Sequence, residues 1–138
     1  MTASFIDRLT AGLATALPAH ETMSGDPEGD APAWDLTWIQ GRGDRLHLVV
    51  IADAHDDLEA TLTAVREAPG NWFWLAREAT LPRSDAQALD ALAERHGFGV
   101  LRVGSVKVER TSLPAPKPGI HIRKHPALRK RWRTVSSF

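Results

Sequence analysis

Along residues 4–17 apolar side chains recur at Ile6, Leu9, Leu13, Ala16 and Leu17, a spacing that gathers them on one face of a helix. Ser4 is placed to cap that helix, with Asp7 three residues on, and Pro18 ends it. Residues 19–32 show no period and are rich in glycine, proline and acids, so they are expected to form a loop. Two apolar segments follow, residues 34–39 and 46–55, joined by Gln40-Gly41-Arg42-Gly43-Asp44-Arg45. They predict a β-hairpin, with Gly41 and Gly43 able to take positive φ in its connection.

Asp56 and Asp57 open a second helix with Leu58, Leu62 and Val65 on one face and Pro69-Gly70 as its stop. Residues 72–76 are apolar at every position, as expected of a central strand covered on both faces. Ser84 with Gln87 has the spacing of a capping box for a third helix, whose apolar face is Leu89, Leu92 and Ala93 and whose end is Gly97. Strands are expected at residues 98–103 and 106–109. The order is helix, hairpin, helix, strand, helix, strand, strand. It predicts an α/β domain: a mixed sheet flanked by helices on both faces.

A chain of 138 residues has room for one such core. There are no cysteines, which excludes a disulfide framework and a thiolate zinc site and suits a reducing compartment. The longest apolar stretch, residues 46–52, is too short to cross a bilayer, so no membrane partner is expected. Asp7 and Arg8 interrupt the first helix as a signal-peptide core, and a cytoplasmic protein is expected.

Charge divides the chain. Residues 1–109 hold all 17 acids and 9 of the 17 Lys and Arg, a net −8, whereas residues 110–138 carry +8. Residues 1–113 are therefore taken as the folded domain and residues 114–138 as a Pro-rich connector and basic tail, with a short helix expected at residues 123–133. In the tail, Lys117, Arg123, Lys124, Arg129, Lys130, Arg131 and Arg133 suit the phosphates of a nucleic acid, and Trp132 could stack on a base. The alternatives are a tail that folds back on its own acidic domain, or one anchored through Trp132 and Phe138 on a second subunit of a homodimer.

Two acids sit where acids are costly. Asp35 interrupts the first apolar segment and Asp53 lies near the end of the second. An ionised carboxylate among apolar neighbours needs a positive partner, usually a metal ion or an arginine. Along an unbroken strand Asp53 and His55 would project to one face and Leu48, Val50, Ala52 and Ala54 to the other. A hairpin folded symmetrically about Arg42 sets Asp35 beside Val49, so reaching Asp53 would take a bulge or a longer loop.

With Asp35 followed by Asp53-Ala54-His55, the chain resembles the PD-(D/E)XK phosphodiesterase superfamily, the restriction-endonuclease-like fold with an αβββαβ core. That fold has a leading helix, a three-stranded meander bearing an Asp and then (D/E)-x-K, a helix, a strand, and a further helix and strand. The segment Gly97-Phe98-Gly99-Val100-Leu101 is similar to the late helix-to-strand stretch of an uncharacterised phosphodiesterase branch. The likeness covers roughly residues 4–110. It implies Asp35 and Asp53 as ligands of Mg²⁺ or Mn²⁺, and His55 in place of the motif lysine. A hard cation would neutralise the scissile phosphate and acidify a water. Lysine is cationic at pH 7 and imidazole mostly is not. The resemblance therefore implies a nuclease-like domain with impaired hydrolysis, and alternatively a non-catalytic module of the same fold that binds nucleic acid or protein through its basic tail. His55 could also act as a general base or ligate a softer metal.

Other motifs have simpler readings. His121 and His125 have metal spacing but lie in a basic tail. Asp26, Glu28 and Asp30 are solvated loop acids, and Arg42-Gly43-Asp44 is a turn. His47 is expected to be a hydrogen-bonded core histidine. Trp34, Trp38, Trp72 and Trp74 are expected in the core.

Overall fold

A strand that is apolar throughout is stable only when both its faces are covered. In the computed structural model, which describes residues 5–16, 21–24, 34–40, 45–68, 70–105 and 107–115, that strand lies inside a six-stranded sheet. In chain order the elements are α1 (Phe5–Ala16), β1 (Glu21–Ser24), β2 (Leu36–Gln40), β3 (Arg45–Ile51), a 3-10 turn (Ala52–Ala54), α2 (Leu58–Arg66), β4 (Trp72–Glu78), α3 (Arg83–Arg95), β5 (Gly99–Val103) and β6 (Val108–Ser112). The strands lie side by side in that same order. β1, β2 and β3 form an antiparallel meander. β3, β4 and β5 are parallel, joined through α2 and α3, and β6 returns antiparallel to β5. The expected mixed α/β sheet is present.

Side-chain alternation divides the core into two layers. On one face Leu9 and Leu13 of α1 pack on Val49, Trp74, Leu101 and Val108. On the other, Leu62 and Val65 of α2 and Ala93 of α3 pack on Leu48, Val50, Phe73 and Leu75. Each fully buried leucine contributes about 1.5–3 kcal/mol relative to exposure. α1 lies so close to β6 that a Cβ on Gly12 would come 2.2 Å from Val108 Cγ2, so a glycine is required there. Gly97, at φ 76°, turns the chain out of α3, and the Phe98 N–H donates to the Ala93 carbonyl at 2.8 Å.

Local capping met its expectation at one helix and not at the other. Asp57 caps α2, its Oδ1 accepting the Ala60 N–H at 3.1 Å. α3 instead starts behind Pro82, without a side-chain cap, and Ser84 falls within its first turn. Proline supplies a fixed φ at the entry and gives up no needed N–H.

Three strand expectations need correction. Residues 21–24, expected in a loop, form β1 on β2. The last strand runs Val108–Ser112 rather than 106–109, with a register irregularity between Val100 and Leu101. β3 ends at Ile51, so residues 52–55 do not continue it. Among the described residues, no helix is long and apolar enough to cross a membrane.

Candidate functional site

In a parallel sheet the carboxyl ends of the strands are the usual place for ligands. At that end of β3 the polar groups are Asp35, Asp53 and His55. Asp35 lies just before β2, and its N–H donates to the Val49 carbonyl at 2.9 Å. The register nevertheless sets Leu36, not Asp35, opposite Val49, one residue away from the pairing that a hairpin symmetric about Arg42 predicts. The next available donor on β3, the Ile51 N–H, is taken by a side chain: Asp35 Oδ2 accepts it at 2.7 Å. With that N–H engaged the chain leaves the sheet and coils through the 3-10 turn. His55 follows with extended backbone, φ −130° and ψ 133°. Its Nε2 lies 2.8 Å from the same Asp35 Oδ2. A carboxylate can only accept, so the proton of this bond sits on Nε2 and Nδ1 is left for other work. The two side chains are 19% and 22% exposed, enough for a ligand to reach and too little for water to screen the pair fully.

Asp35 and His55 are thus brought together, and Asp53 is not brought with them. Its side chain is exposed on the 3-10 turn. The expectation that Asp53 and His55 share one strand face fails because β3 has already ended. These residues do not fit a shared divalent cation. One Asp35 oxygen is occupied by two hydrogen bonds, and among the described residues no group of three His, Asp or Glu could hold a metal ion. An imidazole oriented by a carboxylate, with no partner on its second nitrogen among the described residues, is instead an arrangement for proton transfer.

Four charged residues at the end of β4 were missed. Glu78 receives a two-pronged hydrogen bond from Arg8 of α1, with Nη1 to Oε2 at 3.1 Å. That bond is the main reason the Arg8 guanidinium is held above its ordinary pKa. Arg77, buried on the opposite face, makes a fork to Asp90 of α3 at 2.8 and 3.1 Å. The signal was available: adjacent charges that close an all-apolar strand need partners on both sides of the sheet.

His47 is a core histidine as expected. It is buried, stacks on Trp72 with ring centroids 5.0 Å apart, and accepts the Trp74 Nε1–H on Nδ1 at 2.9 Å. Trp74 is buried, while Trp34 and Trp72 are partly so.

The proposed nucleic-acid contacts Lys117, Arg123, Lys124, Arg129, Lys130, Arg131, Trp132 and Arg133 lie outside the described residues, as do His121, His125, Asp26, Glu28, Asp30 and the hairpin connection. The root of the tail is described. The Ala115 N–H donates to the Gly97 carbonyl at 3.1 Å, and Arg66 Nη1 donates to the Ala115 carbonyl at 3.2 Å. Gly97 sits where β5 begins, whereas Asp35 and His55 sit where β3 ends. Because these strands are parallel, the tail leaves from the opposite end of the sheet to the Asp35–His55 pair.

No protein-family model matches the chain, and no curated protein does. Among solved structures the chain is similar to the SPO1766 protein of unknown function from Silicibacter pomeroyi, at 16% identity and a TM-score of 0.67, covering 97% of this chain and 87% of that one. The likeness is one of fold.

Proposed function

We propose that the chain is a nuclease-like α/β module of PD-(D/E)XK descent that binds nucleic acid through its basic C-terminal segment and no longer hydrolyses it with Mg²⁺ or Mn²⁺. The observation that carries this is the double engagement of Asp35 Oδ2 by Ile51 N–H and His55 Nε2, with Asp53 turned out to solvent. Support for the lineage comes from the element order, a leading helix, a meander, then helix–strand units. To offer Asp35 Oδ2 to a metal, the site would have to abandon a bond to a backbone N–H, at about 1–3 kcal/mol, and a charge-assisted bond to imidazole, which leaves Oδ1 as the one oxygen open to a cation. Such a module acts in the cytoplasm, where nucleic acid is available and a cysteine-free chain is at no disadvantage.

The test has two parts. With DNA or RNA and either cation, purified protein should show no cleavage; cleavage that disappears in Asp53→Ala would overturn the loss of hydrolysis. Binding of a labelled oligonucleotide should vanish when residues 117–138 are deleted. Its affinity should also fall steeply with salt, with a log–log slope of about −4 to −6 if most of the tail cations reach phosphates. Binding that survives the deletion would overturn the role of the tail.

A second reading is favoured by the 2.8 Å pair itself: His55 serves as a general base positioned by Asp35, without any cation. Under it, metal-free turnover of a phosphodiester should be measurable and should disappear in His55→Gln.

A further inference from the structure

Between α3 and β6 the surface opens into a groove of about 520 Å³, lined in part by Asp90, Glu94, Phe98, Thr111 and Leu113. Among the described residues its lining includes no Lys or Arg and two carboxylates, Asp90, which is paired with Arg77, and Glu94, which has no such fork. Leu113 on its wall is 74% exposed, the most exposed large apolar side chain among the described residues. A further strand is a poor occupant. β6 is the last strand of the sheet, but its register breaks opposite Val100 and Leu101, and Glu109 and Arg110 lie along it. A bulge and charges on an edge strand discourage pairing. The occupant has to bring positive charge and apolar surface to a groove beside a blunted edge.

We propose that this groove is the docking site of the chain's own basic segment, residues 117–133, bound in cis. The described chain ends at Ala115, two residues beyond Leu113, hydrogen-bonded to Gly97 next to Phe98 of the groove floor. Residues 116–138 contain seven Lys and Arg and no acid, together with Trp132, whereas residues 1–109 carry a net −8. Reach is ample: the 17 residues from Ala115 to Trp132 span up to ~56 Å extended, while α3 rises only ~10 Å from Gln87 to Glu94. Glu94 would repel a nucleic acid, so a polyanion would release the tail by competing for its cations and not by entering the groove. The docking stands whether or not the tail binds nucleic acid.

Because the full chain has no cysteine, Ala127→Cys provides a single site for a nitroxide label. Amide signals of Gln87, Ala91, Glu94 and Thr111 should lose most of their intensity, and those of Thr10 and Ala11 on α1 should keep theirs. The lost signals should return in about 1 M salt, where the screening length falls to about 3 Å. Combining Glu94→Lys with Gln87→Lys should restore them in low salt. No loss at the groove, equal loss on α1, or a loss indifferent to salt or to the two lysines would overturn the proposal. A mixture of labelled chains with separately isotope-enriched, unlabelled chains should show no broadening. Broadening there would mean that the groove takes the tail of a second copy, which also overturns docking in cis.

Discussion

The two ends of β3 solve one problem, how to finish a buried strand, with opposite chemistry. At its start the Leu46 N–H donates to Asn71 Oδ1 at 2.8 Å and the Asn71 N–H donates to the Leu46 carbonyl at 2.8 Å. Beside them His47 accepts from Trp74 and stacks on Trp72. Asn71, His47 and Trp74 are all buried, and the bonds joining them use neutral amide, indole and imidazole groups. At the far end a carboxylate takes over the role of Asn71, capping Ile51, and a half-buried imidazole takes over that of the indole. Neutral partners suit the dry end, because an ion there would cost several kcal/mol to desolvate. Ionisable partners are tolerated where water still reaches. The comparison separates a polar cluster that serves stability from one that remains open to a ligand or a proton.

The sharpest way to break this contrast is at the dry end. Trp74→Ala removes a buried ring and the donor to His47, and should cost about 3–5 kcal/mol in urea unfolding. A loss below about 1 kcal/mol would show that this end is not the closed one. Asn71→Ala leaves the Leu46 N–H without its acceptor and should cost about 1–3 kcal/mol, measured in the same way. At the open end, a double-mutant cycle of Asp35→Asn and His55→Gln should give a coupling near 1 kcal/mol, since the pair is partly solvated. A coupling of about 3 kcal/mol or more would make the two ends equivalent.

The smallest effect sets the baseline for a solvent-facing pair. Glu109 accepts from Arg102 at 2.9 Å, and that bond, more than the nearby Lys107, holds its carboxyl below the usual glutamate range. Its folded pKa lies below its unfolded one, so the contribution is present above the unfolded pKa and is lost as pH falls through the folded one. Melting temperature followed between about pH 6 and pH 3 should fall slightly less in Glu109→Gln than in the parent. An acid limb that is steeper in Glu109→Gln would reverse the sign.

Periodicity alone revealed α1, α2, β4 and β5, because Leu9 and Leu13, or Leu62 and Val65, repeat at the helical spacing and residues 72–76 are uniformly apolar. β1 escaped notice because Glu-Thr-Met-Ser has neither apolar alternation nor β-branched density, and its pairing with β2 is a tertiary event. Of the candidate site, the chain displayed the residue types and their order. It did not display that Ala52-Asp53-Ala54-His55, which alternates as a strand would, coils away from the sheet.

By itself the sequence determined an α/β core with helices on both faces and a charge divide at Glu109, since burial of apolar faces and net charge are sums over local positions. Only the tertiary structure decided that Asp35 meets His55 and not Asp53, and that the basic tail departs from the opposite end of the sheet. The physical reason is that the contact made where β3 stops, the hydrogen bond from the Ile51 N–H, reaches a side chain 16 residues earlier. No local pattern encodes it.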